Sequence, residues 1–324
     1  MDDDPLREAI WTHAGAYKAH PQTDLVAAAD INPEALTTFG RRWGVDNLYT
    51  DVAEMLEKES VDILSICTWS NSHLPYVVMG ADAGVDAIWC EKPMALNLAE
   101  TDQMLKTCHD LVLAINHVRR WDDCYTSVRQ LLDQGAIGQI QGAVAAYSGG
   151  IANMGTHLFD TLNYLLGEPR SAWAHGTGDG DLQDPNPTGD IEFQDGVICH
   201  IIGCDSRAYL VFEIDILGTE GRLKIMNNGY RAELWTVADS PHLSGYRELE
   251  LQSLVHDSGE GQRMVSAVSD LIHCIENGGQ PNCSGKDGRA ALELTAAFLK
   301  SSGSGRRVTL PMKGRDLKHA VAVR

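Results

Sequence analysis

Positive charge is what this chain has least of. Its 324 residues include 26 Lys and Arg against 45 Asp and Glu, a formal net charge of −19. A groove that tracks nucleic acid needs clustered cations to displace counterions, and so acidic a surface repels phosphates and anionic headgroups over most of its area. Nucleic-acid and membrane partners are therefore not expected, and any anionic ligand needs a local pocket. Long apolar runs are also missing. The longest are strand-sized, such as residues 25–29, whereas a membrane helix needs about 20 apolar residues. The start, Met1-Asp2-Asp3-Asp4-Pro5, has neither the basic nor the apolar segment of a secretory signal, so the cytoplasm is the expected location. The eight cysteines (67, 90, 108, 124, 199, 204, 274 and 283) form no C-x-x-C pair and no metal-ligand cadence. They read as reduced, mostly buried thiols, although an even count also permits disulfides, and no metal is expected.

What is present is an ordinary globular composition, 44% apolar and 22% charged, long enough for two domains at roughly 150 residues each. From about residue 24 to 116, short apolar runs at 25–29, 62–67, 87–90 and 111–115, with a weaker one at 47–50, alternate with helix-length amphipathic segments. Strands buried on both faces and joined by helical crossovers form a doubly wound parallel sheet. Asn32-Pro33-Glu34 and Thr50-Asp51 carry the cap chemistry of two helix starts. Near residue 121 the pattern changes. A helix over 122–133 leads into strand-like segments at 141–147, 190–193, 197–202, 209–217, 221–226 and 232–237, which predict a large, open, mostly antiparallel sheet. Helices near 156–166 and 262–276 are expected to cover it, and a last helix spans 286–301. The Gly-, Asp- and Pro-rich stretch 176–189 reads as a surface loop. The expected division is 1–120, a Rossmann-like domain, and 121–324, an α/β substrate and oligomerisation domain.

Three motifs carry possible chemistry. Glu91-Lys92-Pro93 follows the fourth readable strand, and ligands of open parallel sheets bind beyond the carboxyl ends of strands. Lys92 there is placed to orient a hydroxyl, with Glu91 holding it; alone, the tripeptide more often reads as a surface ion pair before a helix. The second motif is Asn153-Met-Gly-Thr-His157-Leu-Phe-Asp160. Asn153 or Thr156 can cap a helix, which puts His157 in its first turn, where the positive dipole end favours the neutral imidazole a general base needs. Asp160, three residues on, shares its face. In isolation, such a histidine is more often an interdomain packing residue. The third is Asp30, closing an apolar strand; a carboxylate there accepts from adenosine ribose hydroxyls and disfavours a 2′-phosphate, or it is simply a turn and helix cap. The segment 67–73, with Thr68 and His73, offers further polar groups at the same sheet edge.

Taken in order, His13-Ala-Gly-Ala-Tyr-Lys-Ala-His-Pro21, Asp30-Ile-Asn-Pro-Glu34, Glu91-Lys92-Pro93, Arg119-Arg120-Trp121, Asn153 to Asp160 and Leu217-Gly-Thr-Glu-Gly221 resemble the Gfo/Idh/MocA family. It is named for glucose-fructose oxidoreductase, inositol dehydrogenase and a rhizopine catabolism protein. The resemblance runs from about residue 13 to 311. It implies a Rossmann domain followed by an α/β domain, bound NAD(H) or NADP(H), and hydride transfer at a carbon of a sugar, cyclitol or related polyol. By position, Lys92 corresponds to the substrate-contacting lysine and His157 to the acid/base histidine. Asn153 falls where many members have Asp. Asp30, Thr68, His73 and Glu91 correspond to cofactor contacts, with NAD preferred over NADP because of Asp30. Arg120, Trp121, Tyr147, Asp160 and Asn163 are expected at the substrate.

One departure concerns the amino-terminal end. Members of the family begin with an apolar strand and a G-x-G-x-x-G turn; here the aligned positions are Pro5, Arg7 and Ile10. Without that central strand, the facing edges of 25–30 and 62–68 lack backbone partners, and without glycines the backbone cannot approach a pyrophosphate in the same way. The resemblance thus leaves a chain shortened relative to its functional form, or a divergent member with weak or absent dinucleotide binding. The expected function is an NAD-dependent oxidoreductase. The alternatives are a non-catalytic sugar-binding or regulatory protein, and a lyase, hydrolase or epimerase that uses NAD transiently. A second-domain sheet with one face uncovered by its own helices predicts a homodimer or homotetramer through that face.

Overall fold

A computed structural model describes residues 4, 6–7, 9–175, 184–258 and 261–321. The chain forms two compact units. The first comprises Met1–Ala95, Ala99–Trp121 and Gln262–Gly288; the second comprises Leu96–Leu98, Asp122–Gly261 and Arg289–Arg324. No described helix is long and apolar enough to cross a membrane, and no disulfide is present among the described residues.

In the first unit, α1 (His13–Ala19), β1 (Ala27–Ala29), α2 (Pro33–Trp43), β2 (Asn47–Tyr49), α3 (Val52–Lys58), β3 (Ile63–Ile66), α4 (His73–Ala83), β4 (Ala87–Cys90), α5 (Leu98–Thr107) and β5 (Val112–Ile115) alternate as the apolar runs require. The helix starts are local. Asn32 Oδ1 accepts from the Glu34 amide at 3.0 Å with Pro33 in the first turn, and Asp51 Oδ1 accepts from the Ala53 amide at 2.7 Å. All strand pairs are parallel, but they form two sheets, β1-β2 and β3-β4-β5, with no ladder between β1 and β3 among the described residues. β4 is buried along its whole length, so its carboxyl end is a rigid place from which to present a side chain.

The expectation that the helix near 262–276 covers the antiparallel sheet is corrected. That helix, α8 (Arg263–Asn277), belongs to the first unit. Trp121 Nε1 donates to Asp270 Oδ2 at 2.8 Å, His20 Nε2 lies 3.1 Å from Ser269 Oγ, and the Ile115 amide donates to the Cys283 carbonyl at 3.0 Å. Ala114 also bridges Ser284 antiparallel, so the returning chain extends the β5 edge.

The second unit contains α6 (Asp123–Asp133), β6 (Ile140–Tyr147), α7 (Thr156–Leu166), β7 (Pro169–His175), β8 (Thr188–Phe193), β9 (Ile198–Gly203), β10 (Phe212–Gly218), β11 (Gly221–Met226), β12 (Arg231–Asp239), β13 (Arg247–Asp257), the greater part of α9 (Gly285–Ser304) and β14 (Val308–Thr309). The strands form one sheet of order β13-β12-β11-β10-β6-β9-β8-β7-β14, antiparallel except at β6-β9. Period-2 burial along β9 turns Cys199 and Ile201 inward and leaves Ile198 and Ile202 exposed. On the covered face Phe159 of α7 meets Phe298 of α9 with ring centroids 5.0 Å apart. Three strands carry no sequence signal: β7 opens with Pro, β13 is mostly exposed, and β14 is two residues long.

Candidate active site

At the strand ends of the first unit, burial and charge organise a polar cluster. Glu91, one residue past β4, accepts from Asn116 Nδ2 at 2.7 Å and lies 3.2 Å from His13 Nε2 through Oε1, while Oε2 accepts from the Lys92 amide at 3.1 Å. Burial raises the Glu91 pKa, but the hydrogen bond and charge of His13 overcome it and hold the carboxyl well below the usual range. His13 is displaced the opposite way. Burial lowers it, yet Cys67 and Glu91 together raise it. Its ring also stacks on the fully buried Trp89 at 3.7 Å, and its Nδ1 lies 2.9 Å from Ser65 Oγ, which lies 2.8 Å from the Tyr17 hydroxyl. Glu91 thus engages the Lys92 backbone amide and feels the Lys92 charge, while its two oxygens accept from donors of the same unit.

Beside Lys92, the buried His117 is pushed well below its ordinary pKa, by burial first and then by the charges of Lys92 and Arg120. It stays a neutral imidazole next to an ammonium. His13 opens one of the motifs but carries no role in it, and His117 belongs to none. His117 follows β5 by two residues, as Lys92 follows β4, and the parallel register Cys90↔Ile115 is the signal that aligns them.

The other first-unit candidates divide into exposed and engaged groups. Asp30 is exposed, with Oδ1 accepting from the Asn32 amide at 2.8 Å. Thr68 is exposed and accepts from Ser72 Oγ at 2.8 Å. His73 is fully buried, with its ring nitrogens 3.1 Å from the Met94 carbonyl and 3.0 Å from the Thr68 carbonyl, so its side chain ties two loops together. Arg120 Nη1 donates to the Asn282 carbonyl at 3.2 Å and pairs with Asp287 at 3.0 Å. Trp121, bonded to Asp270 and 4% exposed, packs the unit rather than presenting a surface to substrate. Of the aligned glycine positions, Pro5 lies outside the described residues. Ile10 precedes α1, and the Arg7 and Arg263 guanidinium groups lie 4.4 and 4.3 Å from the Trp11 ring.

A dinucleotide needs acceptors for its ribose hydroxyls and for its carboxamide. The exposed Asp30 fits the first, and the buried Asn116 Oδ1, which has no hydrogen-bond partner, fits the second.

In the second unit the helix carrying His157 begins earlier than expected. A π-helical turn, Gly150–Gly155, runs directly into α7, so His157 lies in a later turn and not at the first. Neither Asn153 nor Thr156 caps the helix. Thr156 Oγ1 donates back to the Asn153 carbonyl at 3.0 Å, and the leading amides are satisfied by residues 184–186 instead. His157 is 8% exposed and Asn153 exposed. Asp160 is fully buried one turn further on. Asn163 is half-buried, and both polar atoms of its amide lack partners, as expected of a group waiting for a polar ligand. Tyr147, expected at the substrate, is instead fully buried with its hydroxyl donating to the Pro187 carbonyl at 3.2 Å.

Comparison with known proteins follows the same division. Residues 10–116 match the NAD-binding Rossmann fold of an oxidoreductase family, and residues 145–310 match the C-terminal alpha/beta domain of the same family. D-apiose dehydrogenase of Paraburkholderia graminis is 26% identical, over 92% of this chain and 86% of its own length. Myo-inositol 2-dehydrogenase of Thermotoga maritima is 28% identical, over 92% and 94%. A solved levoglucosan dehydrogenase in complex with NADH superposes with a TM-score of 0.79 at 20% identity, covering 93% of this chain and 96% of that one, a likeness of fold. The chain belongs to the Gfo/Idh/MocA family of oxidoreductases.

Proposed function

We propose that the chain is an NAD-dependent dehydrogenase that oxidises, or in reverse reduces, a CH–OH carbon of a sugar, cyclitol or related polyol. The observation that carries the proposal is that the chain matches both family domains and keeps, in each unit, the residue type the reaction needs. Lys92 stands past the buried central strand β4, and His157 stands on α7. When bound, NAD supplies the hydride acceptor. Asp30 accepts from the adenosine ribose, which favours NAD over NADP, and the orphaned Asn116 Oδ1 accepts from an amide donor. Thr68, Glu91 and His73 shape the same edge. His157 takes the hydroxyl proton as general base. The Lys92 ammonium orients that hydroxyl and lowers the cost of the developing alkoxide, and the neutral His117 beside it adds no competing positive charge. Asn153 and Asn163 offer further polar contacts to the substrate, and Arg120 and Asp160 support the two sites from within their units.

The relatives reported above are named as dehydrogenases, which gives no support to a non-catalytic protein or to an enzyme that recycles its NAD. The exposed Ile198 and Ile202 on the face of the sheet away from Phe159 and Phe298 support self-association through that face. The test of function is turnover of a panel of cyclitols, aldoses and anhydrosugars with NAD. His157→Ala should lower kcat about a thousandfold while leaving NADH affinity unchanged; a variant that turns over like the wild type would remove His157 from the reaction.

A further inference from the structure

Four consecutive amides open the helix that carries His157, and three consecutive residues from a distant part of the chain accept from all four. The Gly150 amide donates to Asn186 Oδ1 at 2.8 Å and the Ile151 amide to the Pro185 carbonyl at 2.9 Å. The Ala152 amide donates to Asp184 Oδ1 at 2.8 Å and the Asn153 amide to Asp184 Oδ2 at 3.1 Å. A helix start leaves its first four N–H groups without intrahelical partners, and a side chain of the helix's own N-cap satisfies one or two. Here Asp184-Pro185-Asn186 satisfies the whole set from outside, with a carboxylate at the positive end of the helix.

The fit has been made room for on both sides. Gly150 has φ +88°, and a Cβ there would come within 1.9 Å of Asp184 Oδ2, so any other residue at the first amide is strained and displaces the Asp184 carboxylate. Behind the segment, a Cβ on Gly203 would come within 1.9 Å of the Asn186 carbonyl oxygen, and the Gly203 amide donates to Thr188 Oγ1 at 3.1 Å. Tyr147, on β6, holds the Pro187 carbonyl, and Asn186 is 1% exposed. The cap is therefore fastened to β6 and β9, two central strands of the sheet. It fixes the helix from a segment that leads directly into β8 (Thr188–Phe193).

We propose that Asp184 is a positioning residue for the reaction, holding the turn from which Asn153 and His157 are presented through the Ala152 and Asn153 amides. The inference rests on the dehydrogenase reading for its kinetic consequence, but its structural content is independent of turnover. Because a misplacement of about 1 Å can cost a hundredfold in rate, Asp184→Ala should lower kcat about a hundredfold, with a smaller change in KM and none in NADH affinity. Asp184→Asn keeps the shape and one acceptor, and should recover part of that loss. A cap with a merely stabilising role would lower the unfolding temperature and leave kcat alone.

Two measurements decide the matter without substrate: amide hydrogen exchange over residues 150–153, and the imidazole resonances of His157. Asp184→Asn and Asp184→Ala should speed the exchange and move the resonances in the same order. Unchanged exchange and unchanged His157 resonances in both variants would overturn the proposal, as would wild-type kcat in Asp184→Ala. If the wild type turns over no polyol at all, the dehydrogenase reading fails, and the exchange and resonance data still decide whether Asp184 positions His157.

Discussion

A carboxylate that accepts from Asn116, His13 and a backbone amide, as Glu91 does, holds its proton weakly, and an imidazole facing Cys67 and that carboxylate holds its proton strongly. The two displacements make the pair a stability element with two pH limits. Glu91 is lowered from 4.5, so its contribution is present above that value and is lost as pH falls towards about 2. His13 is raised from 6.5, so its contribution is full below that value and is lost as pH rises through about 10. Replacing His13 by Gln should cost about 3 kcal/mol between pH 4.5 and 6.5. The gap to the wild type, measured by urea unfolding, should close as pH is raised to 10; a gap that does not depend on pH would mean the imidazole is neutral throughout. At this scale the sequence was partly legible. Lys92 and His157 stand in motifs whose spacing marks them, whereas the side-chain partners of Glu91 are His13 and Asn116, brought to it only by packing of α1 and pairing of β4 with β5. Local spacing suggested Glu91 with Lys92, and the fold made it Glu91 with His13.

Helix starts show how far local chemistry reaches. The caps of α2 and α3 lie within three residues of the amides they serve, and Asn32-Pro33 and Asp51 announce them in the sequence. Asp51→Ala should accordingly cost about 1 kcal/mol, read as a lowered urea midpoint with no effect on turnover; a variant as stable as the wild type would show that α3 needs no cap. The start of the α7 helix has no such announcement, because its acceptors come from residues 184–186, within a stretch whose Gly, Asp and Pro content reads as surface loop. Gly150→Ala sets a Cβ against Asp184 at positive φ, and should cost about 2 kcal/mol or more and lower kcat together with stability. Wild-type stability and kcat in this variant would show that the turn has room the geometry denies. Strands follow the same rule. Those with one buried and one exposed face were readable, while β13, with exposed side chains along most of its length, has no apolar period to read.

For the whole molecule, the net charge of −19 sets the partners that are not expected, and the two-part alternation of elements sets the architecture. What composition and period could not supply was the return of α8 and residues 282–284 to the first unit, since that depends on Trp121, Ile115 and His20 finding partners far along the chain. The face of the nine-stranded sheet that bears Ile198 and Ile202 leads to an expected light-scattering mass of at least twice 35.3 kDa. Ile202→Glu should reduce that mass to the monomer's, and a wild-type monomer would remove the face as an interface. The central claim is hydride transfer between NAD and a polyol carbon, and the most direct measurement is the near-ultraviolet absorbance of NADH formed when the protein is mixed with NAD and each member of a cyclitol and sugar panel. The account expects NADH to accumulate with at least one polyol and to stop accumulating when His157 is replaced by Ala. No NADH from any polyol, together with no NADH binding at millimolar concentration, would contradict it.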